Sequence, residues 1–435
     1  MLGTDTHRCV PLEWIDLLLR KSPVVLRSSA FVLLAVSALE SPAIAQRAEI
    51  RLQATAPATS SISASNHSAA SGNSAATAIS PNLRALYQRT QAVRSEADVT
   101  AIARACANVV SSQKSSTADR DYAGSLLAWA LNRRGEMRNE AAAAMVQRGA
   151  LEEADKLDHQ AADDFETAIQ YGPTNWRIHH NFAISLAMKG DYARAINSVT
   201  RALELKPDYA NAYFNRGELY FELGRFEQAS KDYSLAIERD ATDPQYYNSR
   251  AHSQFMLEDY DVAIADYQRA AELGTDSAVY QSDLADAYQF LGKWEEAAQA
   301  YRSAVAINNK YARAYQNASW LMATCPDRKF RNGDLALSAA KKALELGDAN
   351  SPRVLETLAA ANAANGKFTE AIQFQRRALA VSSDAERSEV QQRLSLYEAK
   401  TAYVQPRLDS STTTGEPGGA NRVRTASNKT TQTRQ

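Results

Sequence analysis

From Thr174 to Val381 apolar and small residues recur at helical spacing, and the whole pattern returns with a period of about 34 residues. Gly190, Gly224, Glu258 and Gly292 mark the period. Aligned on them, "NWRIHHNFAISLAMKGDYARAINSVTRALELKP" is followed by "NAYFNRGELYFELGRFEQASKDYSLAIERD", then by "QYYNSRAHSQFMLEDYDVAIADYQRAAELG" and "VYQSDLADAYQFLGKWEEAAQAYRSAVAIN". Each unit predicts two helices, A and B, joined by a tight turn. A small residue recurs in helix A, as Ala183, Gly217, Ala251, Ala285, Ser319 and Ala359. Helix B repeats the demand at Ala195, Ala229, Ala263, Ala297, Ala336 and Ala371, and again at Ala202, Ala236, Ala270, Ala304, Ala343 and Ala378. Tyr192, Phe226, Tyr260 and Trp294 open helix B four times. Small holes facing large knobs let neighbouring helices approach closely.

Agreement at so many positions resembles the tetratricopeptide repeat family, over residues 174–381. The resemblance implies an all-α solenoid of helical hairpins, wound as a right-handed superhelix with flexible N- and C-terminal tails, and a protein or peptide as partner. It also implies a concave groove lined by helix A. Carried over position by position, Asn181, Asn215 and Asn317 recur at one place with Ser249 and Asp283 between them, a polar ladder able to hydrogen-bond an extended ligand. Phe214, Phe221, Phe255, Met256, Phe290 and Trp320 add apolar area, with inter-helix packing as the other role for each ring. Glu218, Glu222, Asp283 and Asp286 favour an apolar or basic segment, and His252 completes the lining. A subgroup of the family clamps a C-terminal carboxylate with Lys and, four residues on, Asn. Here those places hold His180 with Ile184, Phe214 with Glu218, Asn248 with His252 and Ser282 with Asp286, so the clamp is missing.

The array spans residues 173–382 in about six units. Upstream, residues 81–172 form an N-terminal helical region, in which "DRDYAGSLLAWALNRRGEM" and "KLDHQAADDFETAIQYGP" read as an atypical capping unit in register through Ala161 and Ala168. Downstream, Ser383 and Glu386 form a capping box, and Val390, Leu394 and Tyr397 an apolar stripe, so residues 383–405 predict a helix that covers the last repeat. In "ATCPDRKFRNGD" the small residue Ala336 arrives about five residues late, which places an insertion at 325–332. Pro326 ends helix A there, and Asn332, Gly333 and Asp334 start helix B. With its flanking sequence this turn is similar to a subgroup of bacterial tetratricopeptide proteins with a widened repeat before the C-terminal cap.

The two ends differ from the middle. Arg20, Lys21 and Arg27, the apolar run Ala30 to Leu39 and Ala43-Ile44-Ala45 predict a secretory signal over residues 1–45, with an uncleaved anchor as the less favoured reading because the run is short. Residues 46–80 are a Ser/Ala-rich linker and residues 406–435 a tail, both too poor in apolar groups to order themselves. The expected location is therefore beyond the cytoplasmic membrane, periplasmic or secreted, with no membrane insertion once the signal is cleaved. With 45% hydrophobic residues and a net charge of −1, the chain has material for a core and no attraction for nucleic acid.

No catalytic, nucleotide-binding or metal-spaced motif occurs, so no cofactor and no metal is expected. His179 and His180 are adjacent, hence on different faces of a helix. Cys106 and Cys325 read as free structural thiols. The pattern predicts a non-enzymatic interaction scaffold. The alternatives are an architectural part of an envelope assembly, or an enzyme with its site in residues 81–170 or at Cys325.

Overall fold

The computed structural model describes residues 79–406; the expected signal, nearly all of the expected linker and all but the first residue of the expected tail lie outside them. Among the described residues the chain is all-α, with seventeen α-helices, one 3-10 turn and no strand. It divides into two bodies, one of residues 79–288 and 296–317, the other of residues 289–295 and 318–406.

The first body starts with α1 (Pro81–Thr90), α2 (Glu96–Ser111), α3 (Thr117–Gln147) and α4 (Leu151–Tyr171). Three hairpins follow, α5 (Trp176–Met188) with α6 (Tyr192–Leu205), α7 (Ala210–Glu222) with α8 (Phe226–Arg239), and α9 (Pro244–Met256) with α10 (Tyr260–Leu273). Helices α11 (Ala278–Phe290), α12 (Trp294–Ile307) and α13 (Ala312–Thr324) contribute residues to both bodies. The turn is the same in each hairpin. Gly190, Gly224 and Glu258 take a left-handed φ of 77°, 67° and 66°. The next residue's N–H then reaches back to the helix: Asp191 to the Leu186 carbonyl at 2.9 Å, Arg225 to Tyr220 at 2.8 Å and Asp259 to Gln254 at 2.9 Å. Carbonyls that the helix end leaves unpaired are satisfied in this way. The small residues of helix B, from Ala195 and Ala202 to Ala297 and Ala304, are fully buried, as close packing of hairpins requires.

A second device holds helix A to helix B. Gly217 faces the ring of Tyr233 so closely that a Cβ there would lie 2.6 Å from it. Beside this contact the Arg216 fork donates to both carboxylate oxygens of Asp232, at 2.7 and 2.8 Å, and to the Thr200 hydroxyl of the preceding hairpin at 3.2 Å. The next hairpin repeats it with Arg250 on Asp266 at 2.7 and 2.8 Å and on Ser234 at 3.1 Å. The long α3–α4 pair has it too: Gly135 faces Phe165, and Arg134 bonds Asp164 and the Thr100 hydroxyl of α2. Helix α2 thus stands where helix B of a preceding unit would stand. The lengths of α3 and α4 come from residues inserted between two halves that keep the repeat's contacts.

The second body contains α14 (Gly333–Leu346), α15 (Pro352–Ala364), α16 (Phe368–Val381) and α17 (Asp384–Glu398). Between α13 and α14 lies the wide turn, with a 3-10 segment at Arg328–Phe330 and Cys325 fully buried. Asn332 caps α14 through the Leu335 N–H at 3.0 Å, and its own N–H donates to the Met322 carbonyl at 2.9 Å. Glu386 accepts from the Ser383 N–H and hydroxyl at the start of α17, and Val390, Leu394 and Tyr397 are buried. Arg393 pairs with Glu356 at 2.7 Å, both more than nine-tenths buried. After α17, Lys400 takes a left-handed φ of 51° and residues 401–406 run back without helix. The Gln405 N–H donates to the Thr324 carbonyl at 2.8 Å.

Candidate binding face

Sequence positions expected to line helix A's inner side are linked, in the first body, by hydrogen bonds that run from one repeat to the next. The Asn181 amide donates to Asn132 Oδ1 and Glu136 Oε1, both at 3.0 Å. The Asn215 amide donates to His180 Nε2 at 2.9 Å. The Asn248 amide donates to Asp283 Oδ2 at 3.0 Å, and the Asn317 amide to Asp286 Oδ1 at 2.8 Å. Stacking equivalent helices puts the ladder position of one unit within reach of a different lining position of its neighbour, as His180 is for Asn215 and Asn248 for Asp283, so the rungs run between repeats. The expectation is that Asn181, Asn215 and Asn317 are able to hydrogen-bond an extended ligand; in the structure each of the three amides also donates within the array. What they leave is acceptor capacity: Asn215 Oδ1 and Asn248 Oδ1 are buried and have no hydrogen-bond partner.

The next lining position along helix A meets a tyrosine of helix B in three of the hairpins. Glu218 accepts from the Tyr233 hydroxyl at 2.6 Å and Asp286 from Tyr301 at 2.6 Å, while the His252 ring meets Tyr267 edge-on at 5.3 Å. Burial, reinforced by the facing carboxylate, holds Tyr233 and Tyr301 well above the ordinary phenol range, so both donate as neutral hydroxyls. Arg313 donates to Asp283 at 2.8 Å and to Asp286, which leaves two carboxylates against one guanidinium. His252 Nε2 lies 3.7 Å from Asp283, and burial lowers its pKa against the pull of that carboxylate, so the cluster keeps a formal charge of −1. His180 is buried, and desolvation brings it down to about 4, in keeping with its role as acceptor for Asn215.

The expected aromatics divide in two. Phe214 is 2% exposed, held between the rings of Tyr233 and Tyr246 at 5.7 and 5.2 Å, and Phe255 is buried against Tyr260. These rings are packing, because a repeat 13 or 14 residues per helix must fill the gap to the next unit with its largest side chains. Phe221 is half-buried, edge-on to Phe226 at 5.2 Å, and His252 and Asn317 are also half-buried. In the second body Phe290 and Trp320 are buried, Trp320 beside Tyr403 at 5.9 Å. Among the described residues no group of three or more His, Cys, Asp and Glu side chains could hold a metal ion. Cys106 and Cys325 are buried thiols, and burial pushes that of Cys106 up to about 11.

Two models of the tetratricopeptide repeat match the chain, over residues 186–252 and 248–312. Together the matched residues, 186–312, make up less than a third of the chain. Over 87 residues the chain is 31% identical to Protein STIP1 homolog of Dictyostelium discoideum, covering 20% of this chain and 15% of that protein. It is 30% identical over 102 residues to serine/threonine-protein phosphatase 5 of Homo sapiens, covering 21% of this chain and 20% of that one. The chain thus spans a fifth or less of these relatives' length. A solved tetratricopeptide repeat protein from Parabacteroides merdae aligns with 61% of this chain and 98% of its own, at 17% identity and a TM-score of 0.45. The staple of Arg216 on Asp232 and Arg250 on Asp266 lies inside the matched repeats, and its third copy, Arg134 on Asp164, lies upstream of them. It was readable as an "RG" or "RA" in helix A paired with a "DF" or "DY" in helix B.

Proposed function

We propose that this chain is a non-enzymatic protein-interaction scaffold, exported across the cytoplasmic membrane, that binds a peptide segment or helix of a partner protein on the helix A face of its repeats. The observation that carries the reading is the contrast on that face. Buried rungs tie successive helices together, while Phe221 and His252 on the same helices A stay half-exposed. The unbalanced negative charge of Asp283, Asp286 and Arg313 favours a segment with a basic residue. Export rests on the residues from Arg20 to Ala45.

The test is site-specific photocrosslinking in intact cells. A photoreactive residue at Phe221 should trap one protein partner, and His252→Ala in the same chain should reduce that adduct at least several-fold. A photoreactive residue at Val262, which is exposed on helix B of the next repeat, should not trap it. Equal adducts at both places, or none at Phe221, would sink the reading. N-terminal sequencing of the exported protein should begin at Gln46.

A further inference from the structure

The chain's own residues 401–406 run without helix against the end of α13, at two places that the repeat resemblance puts on the concave side, Trp320 and Thr324. The Gln405 N–H is bonded to the Thr324 carbonyl at 2.8 Å. Tyr403 covers the guanidinium of Arg393 at 5.7 Å, and Trp320 covers the same group at 5.8 Å. Arg393 is immobilised for this by Glu356, which accepts from its Nη2 at 2.7 Å and its Nε at 3.1 Å. With residues 401–406 lifted away, a fixed guanidinium, an indole ring and a helix-end carbonyl would face solvent together. Those groups recognise an aromatic ring and a backbone N–H, which is what an extended peptide offers.

The chain's own segment fills this place imperfectly. Trp320 Nε1 and Gln405 Oε1 are both buried, and neither has a hydrogen-bond partner. Tyr397 Oη, also buried, is in the same condition. Val404 is 41% exposed, so of the run's last residues only Gln405 is enclosed. Buried polar groups left unmatched favour an occupant that supplies the missing acceptor and donor.

We infer that residues 401–406 are a displaceable plug in a peptide-binding site of the second body. The partner that fits is an extended protein segment with an aromatic residue two positions before a free backbone N–H, and with an acceptor for Trp320 Nε1. The inference rests on the reading that the array binds extended segments, and adds that this part of it is held closed by a tethered competitor.

The test uses the full chain and a fluorescent peptide of sequence KTAYVQP, that of residues 400–406. A short tether presents the plug at an effective concentration of about a millimolar, so the unaltered chain should take up the peptide at least about tenfold more weakly than a Tyr403→Ala variant. The peptide KTAAVQP should fail, and Trp320→Ala added to Tyr403→Ala should abolish uptake. Uptake equal in the two chains, or absent from a Tyr403→Ala chain whose helical signal is intact, overturns the plug. Hydrogen exchange on the unaltered chain decides the matter without a variant. The Gln405 amide should exchange at least about a hundredfold faster than those of Val390 and Leu394, because a plug opens without its helix. Exchange at the same rate as α17 means a permanent cap and overturns the inference. These readouts do not involve Phe221 or His252, so failure of the crosslinking test alone removes the scaffold reading, and failure here alone removes the plug.

Discussion

Replacing Arg216 with Met tests whether the recurrent Arg–Asp staple holds the hairpins together. The substitution keeps the length of the aliphatic stem, which still packs, and removes the fork that donates twice to Asp232. Asp232 is 4% exposed, so it is left as a buried charge without its cation. Breaking a buried pair from one side costs about 3–5 kcal/mol, and because Arg216 keeps 17% side-chain exposure the lower end, about 3 kcal/mol, applies. Removing both charges with Arg216→Met and Asp232→Leu should bring stability back to within about 1 kcal/mol of the unaltered chain. The third copy should behave differently. Arg138 also reaches Asp164, at 2.8 Å, so Arg134→Met leaves a cation in place and should cost only about 1 kcal/mol. Repeat arrays open locally, so the right assay is hydrogen exchange of the α7 and α8 amides rather than a single melting curve. A cost below about 1 kcal/mol for Arg216→Met, or a double variant as unstable as the sum of its singles, would refute the staple.

Two further outcomes follow from local geometry. Glu258 alone among the period-marking turn residues carries a side chain at a left-handed φ, so Glu258→Gly should stabilise by about 1 kcal/mol and raise the melting temperature; a lower melting temperature would mean that the Glu258 side chain has contacts worth more than the strain. His180 is held neutral, with a pKa of about 4 against 6.5 when free, so the unfolded chain takes up the proton first and stability falls as pH drops from 6.5 towards 4. Near pH 4.5 this should amount to about 2–3 kcal/mol, and His180→Phe should flatten that limb of the urea-midpoint profile. An unchanged limb would refute His180 as its source.

Much of the fold was legible because the repeat writes the same demand at the same offset. Tyr192, Phe226, Tyr260 and Trp294 each turn out to be the first residue of their helix, and Ala336 and Ala371 are as fully buried as Ala195. The partners of the inner polar residues were not legible, because they lie in other repeats. Asn181 bonds Asn132 and Glu136 in α3, a helix whose insertion hides the period, and no spacing rule links those positions. The ladder's recurrence was visible in the sequence, but which other position each member meets, His180 for Asn215 and Asp286 for Asn317, depends on how closely the helices stack. The same limit applies to Phe214, since a large ring at a lining position reads alike whether it packs or binds. The plug was hidden for another reason. Residues 401–406 precede a polar tail and carry no periodic signal, and only Tyr403 departs from the tail's composition.

The widened turn and the returning segment belong to one accounting of backbone groups. In an ordinary repeat the three residues after helix A satisfy its last carbonyls, as Gly190 and Asp191 do for Ala187 and Leu186. After α13 that route is closed. Cys325 still donates to Leu321, but Pro326, at the place of Gly190, has no N–H to offer Ala323, and the chain leaves the helix without a left-handed residue. The Met322 carbonyl is met instead by the N–H of Asn332, at the far end of the insertion, and the Thr324 carbonyl by that of Gln405. The ordinary turn donates to the carbonyls one and two residues before the helix's last, so its equivalents here are Ala323 and Met322, and Thr324, the last residue of α13, lies beyond its reach. Restoring the usual turn, by deleting residues 326–330 and placing Gly at the left-handed position, should therefore leave the Thr324 carbonyl in place with residues 401–406 on it. Gln405 exchange should then be unchanged. If it accelerates, the wide turn itself helps to hold the segment.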